Sequence, residues 1–217
     1  MRVNSPTAAA LMSGGVIATT VLIQSLLSSN AQTTSNAQTT SCYPPEYTAS
    51  GELILPKNFH EWVYVGSPLT PNALNGGHAG FPEFHNVYIE PCSYAKYKET
   101  NVFPDGTIFF KELQLTLPPA DFPDGSRTEP SGRGYFPGAW NGADVTVKDS
   151  KRYADGGWGY YNFNHHEPKA PTAKLKPVTE CAFCHIAAAK KDEVWTQFYP
   201  LLDTGVGVPT PGMPTIK

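Results

Sequence analysis

The sequence predicts a mainly β protein, an antiparallel sheet with short helices, whose C-terminal helices carry its densest cluster of reactive side chains. Three observations lead there. Four segments rich in β-branched and aromatic residues alternate with turn residues. Gly and Pro number 19 and 21 of 217 residues, which is loop-rich but below the roughly 25–30% of disordered chains. Cys181-Ala182-Phe183-Cys184-His185 lies near the C-terminus, between stretches of helical spacing.

Residues 1–31 read as an export signal: Arg2 opens it, Ala8 to Leu27 is largely apolar, and Ser29-Asn30-Ala31 offers a small-residue exit. An uncleaved anchor is the other reading, because about 20 apolar residues span a bilayer. Both readings export the domain, and the periplasm is the expected location. Asn30-Ala31-Gln32-Thr33-Thr34-Ser35 recurs as residues 36–41, so 32–45 reads as a flexible polar spacer. The domain itself is expected over 46–202, with a Pro/Gly-rich tail at 203–217. Cys42 has no Leu- or Ala-type lipobox before it, which argues against a lipoprotein.

Within the domain, 56–62 and 93–100 read as short helices. Residues 84–89, 107–117, 143–147 and 158–163 read as strands. Helices are expected at 178–189 and 192–202, the second with Asp192 as N-cap. Its Val194, Trp195, Phe198, Leu201 and Leu202 recur at helical spacing and predict a core stripe. On the strand after the Asp105-Gly106 turn, alternation puts Phe109, Lys111, Leu113, Leu115 and Leu117 on one face. A buried amine there is costly unless paired, neutralised or snorkelled to the surface.

Charged residues are only 16%, net charge is −3, and no dense basic run occurs, which excludes an acidic tail and a nucleic-acid binder. Cys181, Cys184 and His185 form the attachment pattern of a c-type haem: two thiols for the vinyl groups and an adjacent imidazole for the iron. A zinc site would need a second pair at ligand spacing, and a thioredoxin-like pair would follow a βαβ strand. Neither context is visible. Cys42 and Cys92 remain, either as a disulfide of an exported protein or as two unrelated thiols. Met1 and Met12 lie in the signal and Met213 in the tail, so no methionine suits the sixth iron position. Any of His60, His78, His85 and the adjacent pair His165-His166 could in principle bind the iron, but most histidines outside a ligand motif do not. The expectation is an open iron site and small-molecule chemistry.

Several stretches resemble the cytochrome P-460 family of exported mono-haem proteins. They include Gly51-Glu52-Leu53-Ile54-Leu55-Pro56-Lys57-Asn58, Asn86-Val87-Tyr88-Ile89-Glu90-Pro91 and Phe103-Pro104-Asp105-Gly106-Thr107 leading to Lys111-Glu112-Leu113. Glu61-Trp62-Val63, Thr70 to Asn75, Val147 to Tyr153, Glu180 to His185 and Thr196 to Leu201 complete the set. The resemblance implies a mainly antiparallel β homodimer with a five-coordinate c-type haem, His185 as iron ligand and Lys111 cross-linked to the macrocycle. It also implies oxidation of hydroxylamine, with electrons passing to an external acceptor such as another cytochrome. Asp144 stands where the family often has a distal Glu, and His85 where it has a basic Arg. These two are the candidate catalytic residues. Alternation sets Asp144 on the face opposite Val145 and Val147, which by itself reads as solvent-facing. His85 can lose its charge near neutral pH, as Arg cannot. The rival functions are a non-enzymatic binder of nitric oxide or carbon monoxide, like the related cytochrome c′-beta proteins, and a plain electron carrier.

Overall fold

In this computed structural model the chain divides into two units, Met1–Asn36 and Ala37–Lys217. The structure describes residues 41–154, 156–165 and 170–203, all within the second unit, and only the backbone of His165. The export signal, the repeat, Met213, His166 and most of the tail fall outside the described residues.

The strands in chain order are β1 (Leu53–Ile54), β2 (Val63–Gly66), β3 (Phe84–Ile89), β4 (Ile108–Thr116), β5 (Arg127–Glu129), β6 (Gly132–Gly134), β7 (Pro137–Lys148), β8 (Trp158–His165) and β9 (Thr172–Ala173). Two α-helices join them, α1 (Pro91–Thr100) and α2 (Ala182–Ala188). The architecture is therefore mainly antiparallel β, as expected. Five strands form one sheet in the order β2-β3-β4-β7-β8, with β4 in the centre. β1 pairs with β9, and β5 with β6.

The register explains which residues share a face. Lys111 on β4 lies opposite Val87 on β3 and Asp144 on β7, and Asp144 in turn lies opposite Asn162 on β8. Directly opposed residues point the same way. Leu113 is likewise opposite His85. One face thus carries His85, Val87, Phe109, Lys111, Asp144, Tyr160 and Asn162. The other carries Ile108, Phe110, Glu112, Val145, Val147, Tyr161 and Phe163.

Both faces are covered. On the first, Val87, Ile89, Phe109 and Tyr160 pack with Tyr97 of α1, Ala182 of α2, Val194 and Leu202. On the second, Phe110, Val145, Val147 and Phe163 pack with Leu53, Trp62 and Ala173. Phe59 stacks on Phe110 at 3.7 Å between ring centroids.

α1 starts where Glu90, fully buried, accepts hydrogen bonds from the N–H groups of Cys92 (3.0 Å) and Ser93 (2.8 Å), with Pro91 at the first helical position. It stops at Asn101, whose φ of 58° is a left-handed cap. Cys42 and Cys92 form a disulfide, so the end of the spacer is tied to α1. The Cys42 N–H also donates to Glu90 Oε1 at 2.8 Å. Glu90 and the two sulfurs lie within 4.8 Å of one another, but the sulfurs are spent on each other and the carboxylate on its donors, so the cluster is structural.

Three helix expectations are corrected. Residues 56–62 form only a 3₁₀ turn at Phe59–Glu61, because Asn58 is left-handed with φ 59°. The motif helix is shorter than 178–189: Cys181 is its N-cap and Ala189 turns extended. The helix at 192–202 does not form, and a 3₁₀ turn at Thr196–Phe198 takes its place. Asp192 and Glu193 are both left-handed, with φ of 47° and 58°. Asp192 caps nothing; its carboxylate accepts from Lys148 Nζ (2.7 and 2.8 Å) and from Trp158 Nε1 (3.2 Å). These tertiary partners outweigh the local helical pattern. The stripe consequently splits: Val194 and Leu202 are buried, while Phe198 and Leu201 are exposed.

Candidate haem site

Cys181, Cys184 and His185 project from the start of α2, which packs on the face of the sheet that bears Lys111 and Asp144. Cys181 is half-buried against the core, Cys184 is exposed, and both are free thiols. Burial, and then the negative charge of Asp144, pushes the Cys181 thiol up.

His185 is held by two hydrogen bonds. Trp195 Nε1 can only donate, so at 3.3 Å it donates to His185 Nε2. His185 Nδ1 therefore carries the proton and donates to the backbone carbonyl of Glu193 at 2.8 Å. Burial holds the imidazole below its ordinary pKa, so it is neutral at pH 7. Tyr160 packs on the ring at 4.7 Å, and its hydroxyl donates to Glu193 Oε2 at 2.8 Å. The left-handed Glu193 thus serves the histidine twice, through its carbonyl and by anchoring a neighbouring ring.

Across from these residues, Lys111 Nζ lies 2.6 Å from Asp144 Oδ2. The two side chains retain only 25% and 22% exposure. The amine on the apolar face is therefore paired, not snorkelled alone to solvent. Asn162 Nδ2 donates to the other carboxylate oxygen of Asp144 at 2.7 Å. Lys111 Nζ also sits 4.3 Å above the Phe81 ring, and Phe81 meets His85 edge to face at 5.7 Å. The charges of Lys111 and Asp144 act on both Cys181 and His185. The residues singled out in the sequence, Lys111, Asp144, Cys181, Cys184, His185 and His85, thus belong to one side of one sheet.

Asp144 does point away from Val145 and Val147, as alternation required, but it faces this cluster instead of open solvent. His60 is excluded from it, because its Nε2 lies 3.2 Å from Glu112 on the opposite face. Sequence reasoning missed Phe81, Tyr160, Asn162, Glu193 and Trp195. Strand alternation would have set Tyr160 and Asn162 on one face, but only the β7–β8 register puts Asn162 beside Asp144. Cavities of about 310 Å³, beside Tyr43, Leu55 and Trp62, and about 250 Å³, beside Ala73, Pro82 and Leu117, do not include these residues.

The donor set fits a haem. Two free thiols flank one turn of helix, and the adjacent imidazole is in the tautomer that leaves Nε2 as the donor atom, its Nδ1–H fixed by a carbonyl, as metal-ligating histidines require. The comparisons with known proteins agree. No curated protein matches the chain. The family model for Cytochrome P460, however, matches residues 56–196, more than half of the chain and every residue of the site described above. The chain belongs to the cytochrome P460 family and is on that ground a haem protein.

Proposed function

We propose that this is an exported, periplasmic c-type haem oxidoreductase that oxidises hydroxylamine, towards nitrous oxide or nitric oxide, and passes the electrons to an external cytochrome. The observation that carries the reading is the Lys111–Asp144 pair, 2.6 Å apart among apolar side chains on the face that α2 covers. An amine and a carboxylate largely withdrawn from water do little for the fold, since such pairs are often no better than apolar replacements. They suit a site where protons move.

In this reading Cys181 and Cys184 hold the haem by thioether bonds and His185 Nε2 ligates the iron. The bound haem supplies a Lewis-acid site for the substrate nitrogen and a sink for its electrons. His185 Nε2, which accepts from Trp195 here, would be the atom that holds the iron, while the Glu193 carbonyl holds Nδ1. Lys111 would be a further point of attachment for the macrocycle. Asp144 Oδ2, beside the Lys111 nitrogen, would take protons as N–H bonds break. Asn162 keeps the carboxylate oriented through Oδ1. His85, on the same face and packed against Phe81, acts as a second polar group towards the substrate. The protein works as a homodimer.

Intact mass and peptide mapping test the reading. A peptide containing Lys111 is expected joined to the haem peptide of Cys181 and Cys184. Lys111→Ala removes that link, moves the ferrous spectrum towards an ordinary c-type haem, and impairs hydroxylamine turnover with the haem still attached. A native protein with only the two thioether bonds would favour a non-enzymatic binder of nitric oxide or carbon monoxide.

A further inference from the structure

The sheet face away from the haem site holds a feature that hydroxylamine chemistry does not use. Consecutive residues of β8 point to opposite faces, so Tyr160 packs on His185 while Tyr161 enters the core behind the sheet. There the Tyr161 hydroxyl meets that of Tyr153 at 2.8 Å, and Tyr153 meets Tyr47 at 2.9 Å. Tyr161 and Tyr153 are 2% and 5% exposed. The Tyr153 ring takes the space that a side chain at residue 159 would need: a Cβ on Gly159 would come within 2.3 Å of the ring. At the outer end, the exposed Arg152 guanidinium stands 3.8 Å over the Tyr47 ring.

A phenol in an apolar core gives up an electron only if its proton leaves too, because an unpaired charge there is expensive. Each hydroxyl of this chain has a neighbouring oxygen able to receive that proton. Tyr153 stands between two phenolic oxygens, at 2.8 and 2.9 Å, so it can pass its proton to one and still accept a hydrogen bond from the other. The Arg152 cation acts on all three phenols, most strongly on Tyr47, and resists loss of an electron most there. Burial and the neighbouring hydroxyls hold the Tyr153 phenol protonated at any ordinary pH, which keeps the chain loaded with protons.

We propose that Tyr161, Tyr153 and Tyr47 form a redox site that draws an oxidising equivalent away from the haem when a peroxide reaches it, and holds it as a neutral radical on Tyr153. Peroxide would be reduced by two electrons, one supplied by the haem when bound and one by Tyr153; its O–O bond breaks, and the reduced oxygens take the protons they need from solvent, which receives one back through Tyr47. The O–H bond of Tyr153 breaks, its proton moves to the Tyr47 oxygen, and the proton of Tyr47 passes to solvent. Tyr160, between His185 and the Tyr161 backbone, is the route across the sheet. The inference rests on the proposed function only in that haem is bound at His185; it involves neither the Lys111 bond nor hydroxylamine.

The test mixes the ferric holoprotein with one equivalent of hydrogen peroxide, freezes it and records the electron paramagnetic resonance spectrum. A tyrosyl signal is expected, falling roughly tenfold in Tyr153→Phe, which keeps the ring and loses only the hydroxyl. Tyr47→Phe removes the oxygen that receives the Tyr153 proton, so the signal is expected to fall there too. A signal unchanged in Tyr153→Phe, or a tryptophanyl spectrum in the native protein, overturns the proposal. If Tyr153→Phe does not fold, Tyr47→Phe decides, and an unaltered signal sinks the idea. Haem present without a radical defeats this inference alone, whereas absence of attached haem defeats the proposed function.

Discussion

On the face of the sheet that α2 covers, the polar groups are charged. Lys111 and Asp144 keep about a quarter of their surface and lean on each other, and Asn162 donates to the carboxylate. On the opposite face the polar groups are mostly neutral and dry. Tyr161 and Tyr153 lie in a core with Leu53, Val145 and Phe163 and are satisfied by one another's hydroxyls. Glu112, next in sequence to Lys111, is 6% exposed and spends its two oxygens on His60 (3.2 Å) and Asn86 (3.3 Å). The difference separates two uses of polarity. Behind the sheet, polar atoms are bonded into the packing and support the fold. In front of it, a charge pair sits where apolar residues would serve stability as well, on the same side of the sheet as Cys181 and His185.

The comparison is broken most severely at the motif. Cys181→Ser combined with Cys184→Ser is expected to abolish haem retention in acid-acetone extraction while the far-ultraviolet dichroism of the sheet stays native. Haem that extracts freely from the native chain would show that the thiols do not hold it. Next in size, Asp144→Ala is expected to slow hydroxylamine oxidation by roughly 10²–10⁴-fold, the usual share of a general base. Binding of hydroxylamine to the ferric protein should survive. Unchanged turnover would remove Asp144 from the chemistry.

The rear face answers differently. Phe110, fully buried and stacked on Phe59, is expected to cost about 3–5 kcal/mol of unfolding free energy when replaced by alanine, read from urea midpoints. Turnover per folded molecule should be unaffected, and a selective loss of activity would mean that the two faces are not separable. The smallest effect concerns alkaline pH. Burial raises the Tyr47 phenol to about 12 from an unfolded value of 10.0. Between those values the unfolded chain has lost a proton that the folded protein keeps, so stability falls as pH rises through this window. Tyr47→Phe should flatten that part of the curve in denaturant titrations at increasing pH, and an unaltered slope would show that another group controls it.

The mainly β class, the strand at 84–89, the centre of β4 and the reactive motif were legible in the sequence, because each is written in contiguous residues. Alternation along β4 set Lys111 with Phe109 and Leu113. The family resemblance singled out Asp144 and His85, and the register sets all of them on the same face. The helix at 192–202 was illegible as a failure. Its local spacing is helical, yet Lys148, Trp158, Tyr160 and His185, all distant in sequence or across a turn, claim the polar atoms of Asp192 and Glu193.

By itself, the sequence determined the attachment motif and the residue types of the site, since Cys-x-x-Cys-His needs one turn of chain and nothing further. It also determined which β4 side chains share a face, since alternation is a property of the extended backbone. Only the tertiary structure decided that Asp144 looks onto Lys111 and not onto water, that Asn162 orients it, and that the Glu193 carbonyl and the Trp195 N–H grip His185 from two sides. Those partners come from strand register and from the packing of α2 on the sheet. The free energy of such contacts depends on distances across the fold, which no local pattern encodes.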